Sequence, residues 1–447
     1  MNFIQTENQA YKPIILLISG LTCLQIFSCA TAQPDPTIVR ASTETQTNIV
    51  RMAVIGDFGS GSENEMAVAN LIKSWQPDMI LTLGDNNYPD GTAETIDQNI
   101  GMFYSDYIFP YKGAYGTSSA TNLEENRFFP ALGNHDWRTG NCDAYLDYFT
   151  LPGNERYYEV REGPVAIFVI DSDRHEPDGN TEDSIQAQWL KSRMEASDAT
   201  FKLVTMHHPP YSSGPHGENS SSHWPFAEWG ADLIMGGHDH IYERLVLDGV
   251  PYIVNGLGGS WLYDFEKVLD GSQVRFNSSF GAMLLQVSED TLSLQMITTD
   301  GGVVDTLNIP AVGDLSDKGV ALIETNAQWS SQPQISEHHL RSSLVFSAEP
   351  SQAGGNLIAE VRATDGFIIT INGEEVWRQN LPQGPIEEGT RALALIPSPL
   401  PKVQNSIAST YLVDGENSIT IDLFTAETRD SDPSFEFELF QGEASQP

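Results

Sequence analysis

The chain has 447 residues, of which 61 are acidic and 23 are basic, so its formal charge at neutral pH is -38. No cluster of lysine and arginine interrupts this acidic surplus, and the sequence therefore excludes a groove that holds nucleic acid through its phosphates. A hydrophobic content of 40% predicts a globular protein, and the length predicts one large domain followed by a smaller one.

The first 32 residues are predicted to be an export signal rather than part of a domain. A lysine precedes the apolar run from Ile14 to Phe27, which is too short for a comfortable transmembrane helix and is followed by small residues. Two processing routes remain open: cleavage before Gln33, or a bacterial lipoprotein route in which Cys29 is acylated. Residues 33–48 would then form a flexible tether. The protein is expected in the periplasm or outside the cell, with a lipid anchor if the second route applies.

From residue 49 to residue 310, short apolar runs alternate with turns and amphipathic stretches, which is the pattern of an α/β sandwich. Five of the runs share one property, because each is followed directly by a side chain that can coordinate a cation. These side chains are Asp57, Asp85, Asn134, His207 and His238. Loops at the carboxyl ends of strands in an open α/β sheet meet at one rim, so we expect the five to lie close together.

Taken one at a time, these motifs are ambiguous. Asp57 could cap the following helix, the His207-His208 pair could belong to a turn, and Asn134 could only hold its loop. The segment His238-Asp239-His240 is more specific, because two imidazoles two residues apart on an extended loop point to the same side. The sequence therefore predicts a metal site at the rim, with the structural roles as the alternative.

Together, the motifs occur in a defined order: Asp57-x-Gly59, Gly84-Asp85-Asn86-Asn87-Tyr88, Gly133-Asn134-His135-Asp136, Val204-x-x-His207 and Gly237-His238-x-His240. In this order they resemble the purple acid phosphatases, a family of binuclear metallophosphoesterases. The resemblance covers about residues 50–310 and implies a four-layer α/β/β/α sandwich that hydrolyses phosphate monoesters. The tyrosine of the second motif separates this family from other metallophosphoesterases.

The resemblance also implies seven ligands for a dinuclear centre. Asp57, Tyr88 and His240 would hold a ferric ion, and Asp85 would bridge the two ions. A divalent ion would be held by Asn134, His207 and His238. A phenolate is a hard, basic donor with a free pKa of about 10, so it suits a highly charged ion such as Fe(III). An amide oxygen, two imidazoles and a shared carboxylate suit zinc, Fe(II) or Mn(II) without choosing among them.

The implied reaction is an in-line attack by a metal-activated hydroxide, which needs no enzyme nucleophile. The leaving alkoxide needs a proton, and the resemblance offers His135 and His216 as candidate acids without deciding between them. For His216, an exposed loop histidine is the alternative. His208 has no matching role and is expected to be structural or to support the ligands.

Two other functions compete with hydrolysis of phosphate monoesters. A phosphodiesterase could use the same metal pair if the pocket left room for a second ester group. Aromatic rings could shape such a pocket, or they could simply pack in the core; the candidates are Trp137, Tyr211, Trp224 and Trp229. The other competitor is a carbohydrate- or surface-binding protein with a relic phosphatase domain, against which the intact set of motifs argues.

After about residue 310 the pattern changes to short alternating strands. The Asn372-Gly373 pair predicts a hairpin, and the segment from Ile419 to Leu423 alternates between apolar and polar residues. Residues 311–447 are therefore predicted to form an all-β jelly-roll module, similar to the galactose-binding-like domains attached to exported hydrolases. The module is expected to bind a carbohydrate or another cell-surface ligand, or to cap the catalytic domain.

Overall fold

The computed structural model describes residues 38–40, 49–116, 123–311, 320–323, 327–331, 339–348, 357–363, 365–382, 384–387, 390–393, 403–426 and 435–441. The predicted export signal and Cys29 lie outside these ranges, as does the predicted tether except for residues 38–40, which form a strand. Within the described residues, no helix has the length and apolar character needed to cross a membrane.

Strands and helices alternate from residue 49 to residue 310, as the apolar pattern predicted. In chain order, and including one earlier strand, the strands are β1 (Ile38–Arg40), β2 (Val50–Ile55), β3 (Met79–Thr82), β4 (Phe128–Pro130), β5 (Tyr158–Glu162), β6 (Val165–Val169), β7 (Phe201–Thr205), β8 (Leu233–Gly236), β9 (Tyr242–Leu247), β10 (Val250–Asn255), β11 (Ser272–Phe276), β12 (Gly281–Val287), β13 (Thr291–Thr298) and β14 (Gly302–Pro310). The α-helices are α1 (Glu63–Ser74), α2 (Ala93–Ile96), α3 (Met102–Tyr104), α4 (Asp143–Tyr148) and α5 (Ile185–Ala196).

Serine side chains begin the two long helices. The hydroxyls of Ser62 and Ser184 accept the backbone N–H of Glu65 and Ala187, so each satisfies one donor that the first turn leaves free. Shorter helical turns complete this half of the chain: one π turn (Asp97–Gly101) and 3-10 turns (Ser105–Tyr107 and Ser220–Ser222).

Two mixed sheets form the sandwich. In the first sheet the strand order is β1-β5-β6-β7-β8-β10-β9-β11. The second sheet includes a short strand from the C-terminal region, β21 (Leu381–Pro382), and has the order β21-β14-β13-β12-β2-β3-β4. Neighbours β7 and β8 are parallel, as are β2, β3 and β4. Parallel neighbours bring their carboxyl ends to the same edge, so the loops that follow these five strands meet at one rim.

Helices cover the sandwich on both sides. Val165 and Ile167 of β6 share a hydrophobic core with Leu285 of β12, which places this core between the two sheets. On the other face of the first sheet, Leu190 of α5 packs in a second cluster with Phe168. Helix α1 packs against β12 of the second sheet. The predicted order of helix, sheet, sheet and helix is confirmed.

The C-terminal region consists of antiparallel sheets, as predicted. Its other strands are β15 (Val320–Ile323), β16 (Ser330–Ser331), β17 (His339–Ala348), β18 (Leu357–Ala363), β19 (Gly366–Ile371), β20 (Glu374–Gln379), β22 (Val403–Ile407), β23 (Gly415–Phe424) and β24 (Phe435–Gln441). One sheet has the order β15-β24-β18-β22 and the other β16-β17-β23-β19-β20. Asn372 and Gly373 have φ values of 49° and 90° and connect β19 to β20, so the predicted hairpin is present.

Hydrogen bonds join the C-terminal region to the sandwich. Strand β21 pairs with β14 at the edge of the second sheet. Nε2 of Gln379 donates to the carbonyl oxygen of Val304 at 2.9 Å, and the backbone N–H of Asn308 donates to Oδ1 of Asn405 at 2.7 Å. The predicted boundary after residue 310 coincides with the end of β14, yet the region beyond it contributes a strand to the sandwich.

Candidate metal centre

The five polar side chains that follow strand ends lie on the rim of the sandwich. Asp57, Asp85 and Asn134 follow β2, β3 and β4 of the second sheet, and His207 and His238 follow β7 and β8 of the first. Asp57, Asp85 and His238 have φ values of 57°, 52° and 69°. Residues other than glycine rarely adopt this left-handed conformation, and such backbone strain concentrates at functional sites.

One group of donors, which we call the tyrosine cluster, consists of Asp57, Tyr88 and His240. The phenol oxygen of Tyr88 lies 3.2 Å from Oδ1 of Asp57 and 3.2 Å from Nε2 of His240. Nε2 of His240 is also 3.2 Å from Oδ1 of Asp57. All three side chains are buried. Their oxygen and nitrogen atoms therefore converge on one small space away from solvent.

The tyrosine cluster has more acceptors than protons. Nδ1 of His240 lies 2.8 Å from the carbonyl oxygen of Trp261, which can only accept, so Nδ1 carries the proton and a neutral ring has its lone pair at Nε2. A phenol has one proton, but the Tyr88 oxygen faces this nitrogen, Asp57 Oδ1 and, at 3.1 Å, Asp85 Oδ2. The side chains of the cluster therefore cannot provide a hydrogen-bond donor for every acceptor. A bound cation would interact with the lone pairs that are left over.

A second group, the histidine cluster, consists of Asn134, His207 and His238. Nδ1 of His207 lies 2.7 Å from the carbonyl oxygen of Leu83, so it is the donor, and Nε2 of the neutral ring is an acceptor. That Nε2 lies 2.9 Å from Oδ1 of Asn134 and 3.2 Å from Nδ1 of His238. Carbonyl contacts of this kind orient histidines that bind metals through the other ring nitrogen.

The Asp85 carboxylate spans the two clusters. Its Oδ2 lies 3.1 Å from the Tyr88 oxygen, and its Oδ1 lies 3.4 Å from Nε2 of His207. The backbone N–H of His135 donates to Oδ1 at 2.8 Å and holds the carboxylate in this orientation. One side chain thus presents an oxygen to each cluster, as a bridging ligand between two cations must.

Burial and nearby charges set the protonation states of the centre. Burial, followed by the Asp57 and Asp85 carboxylates, raises the pKa of Tyr88 well above its usual value near 10. Burial opposes ionisation of Asp57, but His240 outweighs this effect and the pKa of the carboxyl is lowered. Burial and then His207 lower the pKa of His238. Burial and the two carboxylates thus favour the protonated phenol of Tyr88, whereas a strongly charged cation would favour its loss of the proton.

The donors fit a pair of metal ions of different hardness. Ligand atoms of Asp57, Asp85 and His207 lie within 4.8 Å of one another. The tyrosine cluster offers a carboxylate and a phenol oxygen, which suit a hard, highly charged ion, whereas the histidine cluster offers an amide oxygen and two imidazoles, which suit a divalent transition metal. The residues present can therefore hold two cations, one per cluster, with Asp85 between them.

His135 is held as a neutral ring beside the centre. Its Nδ1 lies 2.6 Å from the carbonyl oxygen of Pro89 and therefore donates. Its Nε2 lies 3.0 Å from Nη2 of Arg138, and because a guanidinium can only donate, Nε2 must accept. Burial lowers the pKa of His135. Both nitrogens are thus engaged in a way that disfavours an extra proton.

The contacts of His216 have the opposite effect on its protonation. Its Nδ1 lies 2.8 Å from Oδ1 of Asp239, and the same oxygen accepts the backbone N–H of His216 at 3.1 Å. This hydrogen bond raises the pKa of His216. The ring lies 4.1 Å from the ring of His238, and 43% of the side chain is exposed. His216 therefore stands between the histidine cluster and solvent in a setting that favours its protonated form.

His208 lies next to the histidine cluster. Its Nδ1 is 3.0 Å from the hydroxyl of Ser172, which also accepts the backbone N–H of His208. Its ring lies 4.4 Å from that of His238, and ligand nitrogens of His207, His208 and His238 lie within 4.8 Å of one another. Burial lowers the pKa of His208 well below its usual range. The ring is close enough to support the cluster, and its serine contact gives it a structural role.

Sequence reasoning missed three side chains at the rim. Asp239 is fully buried, holds His216 and accepts a short hydrogen bond from Ser212. Trp261 supplies the carbonyl that orients His240, and the Tyr263 ring stacks on His240 at 4.3 Å. A possible signal for Asp239 was its place between two histidines, but nothing local marked the other two.

The aromatic residues proposed to shape a pocket lie mostly in the interior. Trp137, Trp224 and Trp229 are buried and belong to the hydrophobic cores. Tyr211 stacks on His223 at 4.5 Å and meets Tyr252 edge-on. The three tryptophans therefore pack in the core, which was the alternative interpretation of these residues.

Comparison with known proteins shows which families this region resembles. Residues 50–242 match the family described as calcineurin-like phosphoesterase. Human tartrate-resistant acid phosphatase type 5 is 24% identical over 250 residues, which is 47% of this chain and 74% of that protein. Purple acid phosphatase 17 of Arabidopsis thaliana is 26% identical over 253 residues, covering 49% of this chain and 71% of that protein. The solved structure of purple acid phosphatase PPD1 from yellow lupin (Lupinus luteus) seeds overlaps 59% of this chain and 54% of its own, at 17% identity and a TM-score of 0.47.

The residues that match the family model carry both donor clusters, and Trp261 lies beyond them. The relatives are similar at low identity, so their substrates are not carried over to this chain. Residues 50–242 are similar to calcineurin-like phosphoesterases, and the chain is distantly similar to the purple and tartrate-resistant acid phosphatases.

Proposed function

We propose that this protein hydrolyses phosphate monoesters at a dinuclear centre of the purple acid phosphatase type. The observation that carries the proposal is the position of Asp85, whose two oxygens face two different clusters, one of which contains a phenol oxygen. A mononuclear site would not need a carboxylate shared in this way. A generic dinuclear phosphoesterase would not need Tyr88.

The proposal assigns each cluster to one ion. Fe(III) is held by the tyrosine cluster of Asp57, Tyr88 and His240. Asn134, His207 and His238 hold a divalent ion, for which zinc, iron and manganese are the candidates, and Asp85 bridges the two. Fe(III) is the choice for the first position because a carboxylate and a phenol oxygen are hard donors, which suit a highly charged ion.

When bound, the metal pair would supply a nucleophile from water and neutralise charge on the phosphoryl group. A ferric and divalent pair carries more positive charge than the three acidic side chains around it remove. The centre would therefore attract a phosphate ester although the chain as a whole is strongly acidic, because salt screens the surface charge within about 10 Å.

His216 is the better candidate for the acid that protonates the leaving group. Asp239 stabilises its imidazolium through Nδ1, which leaves the Nε2–H as a proton to transfer. His135 is tied to Pro89 and Arg138 as a neutral ring, so its role would be to fix Asp85 through its backbone N–H rather than to deliver a proton. The hydrogen-bond partners of the two rings therefore support His216 rather than His135 as the proposed acid.

The remaining expectations from the sequence belong to the proposal as well. Export to the periplasm or the cell exterior, with or without a lipid anchor at Cys29, would place the enzyme among extracellular phosphate esters. A carbohydrate or cell-surface ligand for the C-terminal sheets would hold it near such a source. Neither expectation is needed for the chemistry of the centre.

Metal analysis combined with a substrate panel tests the proposal. Purified protein should contain about one iron and one further metal per chain, as expected for one ion per cluster. It should hydrolyse a soluble monoester such as 4-nitrophenyl phosphate faster than a diester with the same leaving group, such as bis(4-nitrophenyl) phosphate. Faster turnover of the diester would favour the phosphodiesterase alternative, and full activity with one metal or none would contradict the dinuclear assignment.

A further inference from the structure

Trp261 is an exposed aromatic ring in the wall of the candidate centre. Its ring centroid lies 4.8 Å from that of His240 and 5.4 Å from that of Tyr88. It is 47% exposed, whereas Trp137 and Trp224 are buried. A single exposed apolar side chain is ordinary on a protein surface. Trp261 is informative because its ring lies against two side chains of the tyrosine cluster.

The backbone holds Trp261 in place. Its carbonyl oxygen accepts Nδ1–H of His240 at 2.8 Å. On either side, the N–H of Ser260 donates to the carbonyl oxygen of Asp57 at 3.2 Å, and the N–H of Tyr263 donates to that of His240 at 3.0 Å. Asp57 and His240 of the tyrosine cluster therefore anchor residues 260–263 by hydrogen bonds. These bonds fix the position of the Trp261 backbone beside the centre.

Tyr263 connects Trp261 to the proposed acid. The Tyr263 ring lies 6.3 Å from the Trp261 ring, 5.5 Å from the His216 ring and 4.3 Å from the His240 ring. Trp261 and His216 are both partly exposed, and the Tyr263 ring lies between them. A large leaving group that receives a proton from His216 could therefore extend towards the indole.

We infer that Trp261 is a specificity-determining residue that stacks on a flat aromatic group carried by the alcohol part of a phosphate monoester. The inference rests on the proposed function and adds the class of substrate. An indole presents a large, rigid, apolar face, and stacking on such faces tolerates many different rings. Two sources share this chemistry: the base of a nucleoside 5′-phosphate, and the ring of an aryl or benzyl phosphate.

Pairs of substrates with matched leaving groups test the inference. Adenosine 5′-phosphate and ribose 5-phosphate both release a primary alcohol at the same ribose carbon, and benzyl and cyclohexylmethyl phosphate are matched in the same sense. The wild-type protein should prefer the aromatic member of at least one pair by roughly 5- to 100-fold in kcat/KM. The adenosine pair reports a nucleobase and the benzyl pair an aryl group.

Trp261→Ala should reduce that preference towards unity, chiefly through KM, because stacking acts on bound substrate and transition state alike. Trp261→Phe should keep part of it. The measured quantity is the ratio between the two members of each pair, because any loss through the ring contacts with His240 and Tyr88 reaches both members equally and cancels in the ratio. Tyr411→Ala is the matched control, because Tyr411 is also exposed and its carbonyl oxygen also accepts a side-chain hydrogen bond, but it lies in the C-terminal region.

The outcomes separate this inference from the function on which it rests. A wild-type protein that hydrolyses both members of each pair equally well would overturn the stacking role and leave the phosphomonoesterase standing. Equal losses for both members in Trp261→Ala and Trp261→Phe would assign Trp261 to the support of His240 instead. Hydrolysis of none of the four substrates by metal-loaded protein would contradict the proposed function itself.

Discussion

Buried polar groups at the rim of the sandwich and in the C-terminal sheets are arranged in opposite ways. In the C-terminal region, Oδ1 of Asp422 lies 2.7 Å from Nε2 of His339 and accepts from Nε of Arg341 at 2.6 Å, while Oδ2 accepts from Nη2 of Arg341 at 2.9 Å. In each of these contacts a donor meets an acceptor. At the rim, by contrast, Nε2 of His207 faces Oδ1 of Asn134, and in the neutral ring both atoms are acceptors.

The same contrast exists within the sandwich, so it does not follow from the type of domain. Arg244 and Asp305 form a fully buried pair, in which Nε of Arg244 donates to Oδ2 of Asp305 at 2.8 Å. Satisfied groups of this kind support the fold, whereas acceptors turned towards one another cost stability until a cation arrives. Facing acceptors therefore indicate that the polar groups at the rim serve function, whereas satisfied groups such as Arg244 and Asp305 serve the fold.

The largest expected effect comes from removing a donor of the histidine cluster. His207→Ala should lose about one metal per chain and lower kcat/KM by more than about 100-fold, because changes to residues that merely support ligands already cost 10- to 100-fold. His208→Ala is the matched control, since this neighbour contacts Ser172 instead. It should keep both metals and much of the rate. Elemental analysis and steady-state kinetics measure the two effects, and equal losses in both variants would contradict the assignment of ligands.

A smaller effect should follow from removing the proposed acid. His216→Gln should lower kcat for an alkyl phosphate by about 100-fold, the lower range for a general acid, but should matter much less for 4-nitrophenyl phosphate, whose leaving group needs no proton. His175→Gln is a close control, because Nδ1 of His175 also lies near an aspartate, at 2.7 Å from Asp173, and its side chain is 48% exposed. The same loss for both substrates would show that His216 acts in some other way.

The smallest effects concern the free energy of unfolding. They compare a satisfied carboxylate of the C-terminal sheets, Asp422, with a carboxylate of the tyrosine cluster, Asp57. Asp422→Asn should lower this free energy by about 2 kcal/mol, since hydrogen bonds to a charged group are weakened. Asp57→Asn, measured without metal, should lower it by less, because the new amide N–H can donate to Nε2 of His240 and offsets part of the lost charge interaction. Urea denaturation of metal-free protein gives both values. A large loss of stability in Asp57→Asn would mean that the tyrosine cluster supports the fold after all.

The strand ends of the centre could be predicted from the sequence because their signal is local. An apolar run followed by Gly56-Asp57 or Gly84-Asp85 indicates a buried strand and a turn without any knowledge of the partners. The α/β sandwich followed from the same alternation, whereas the order of its layers followed from the resemblance to the purple acid phosphatases. The antiparallel C-terminal sheets likewise followed from short alternating runs and the turn at Asn372.

Contacts between distant parts of the chain could not be predicted in this way. The choice between His135 and His216 depends on Pro89, Arg138 and Asp239, whose positions relative to the two rings only the fold determines. The exposed ring of Trp261 looks like any other loop aromatic until its carbonyl is seen to hold His240. Similarly, no local pattern indicated that β21 would extend the second sheet.

The visible spectrum of Tyr88→Phe tests the central claim most directly, namely that the unsatisfied acceptors of the tyrosine cluster bind Fe(III) through a phenolate. Wild-type protein with bound Fe(III) should be coloured by charge transfer from this phenolate, and Tyr88→Phe should lose the colour even where elemental analysis finds iron still bound. The ferric ion should also be easier to reduce in the variant, because its hardest donor is gone. An iron-containing wild-type protein with the same visible spectrum as Tyr88→Phe would contradict the assignment.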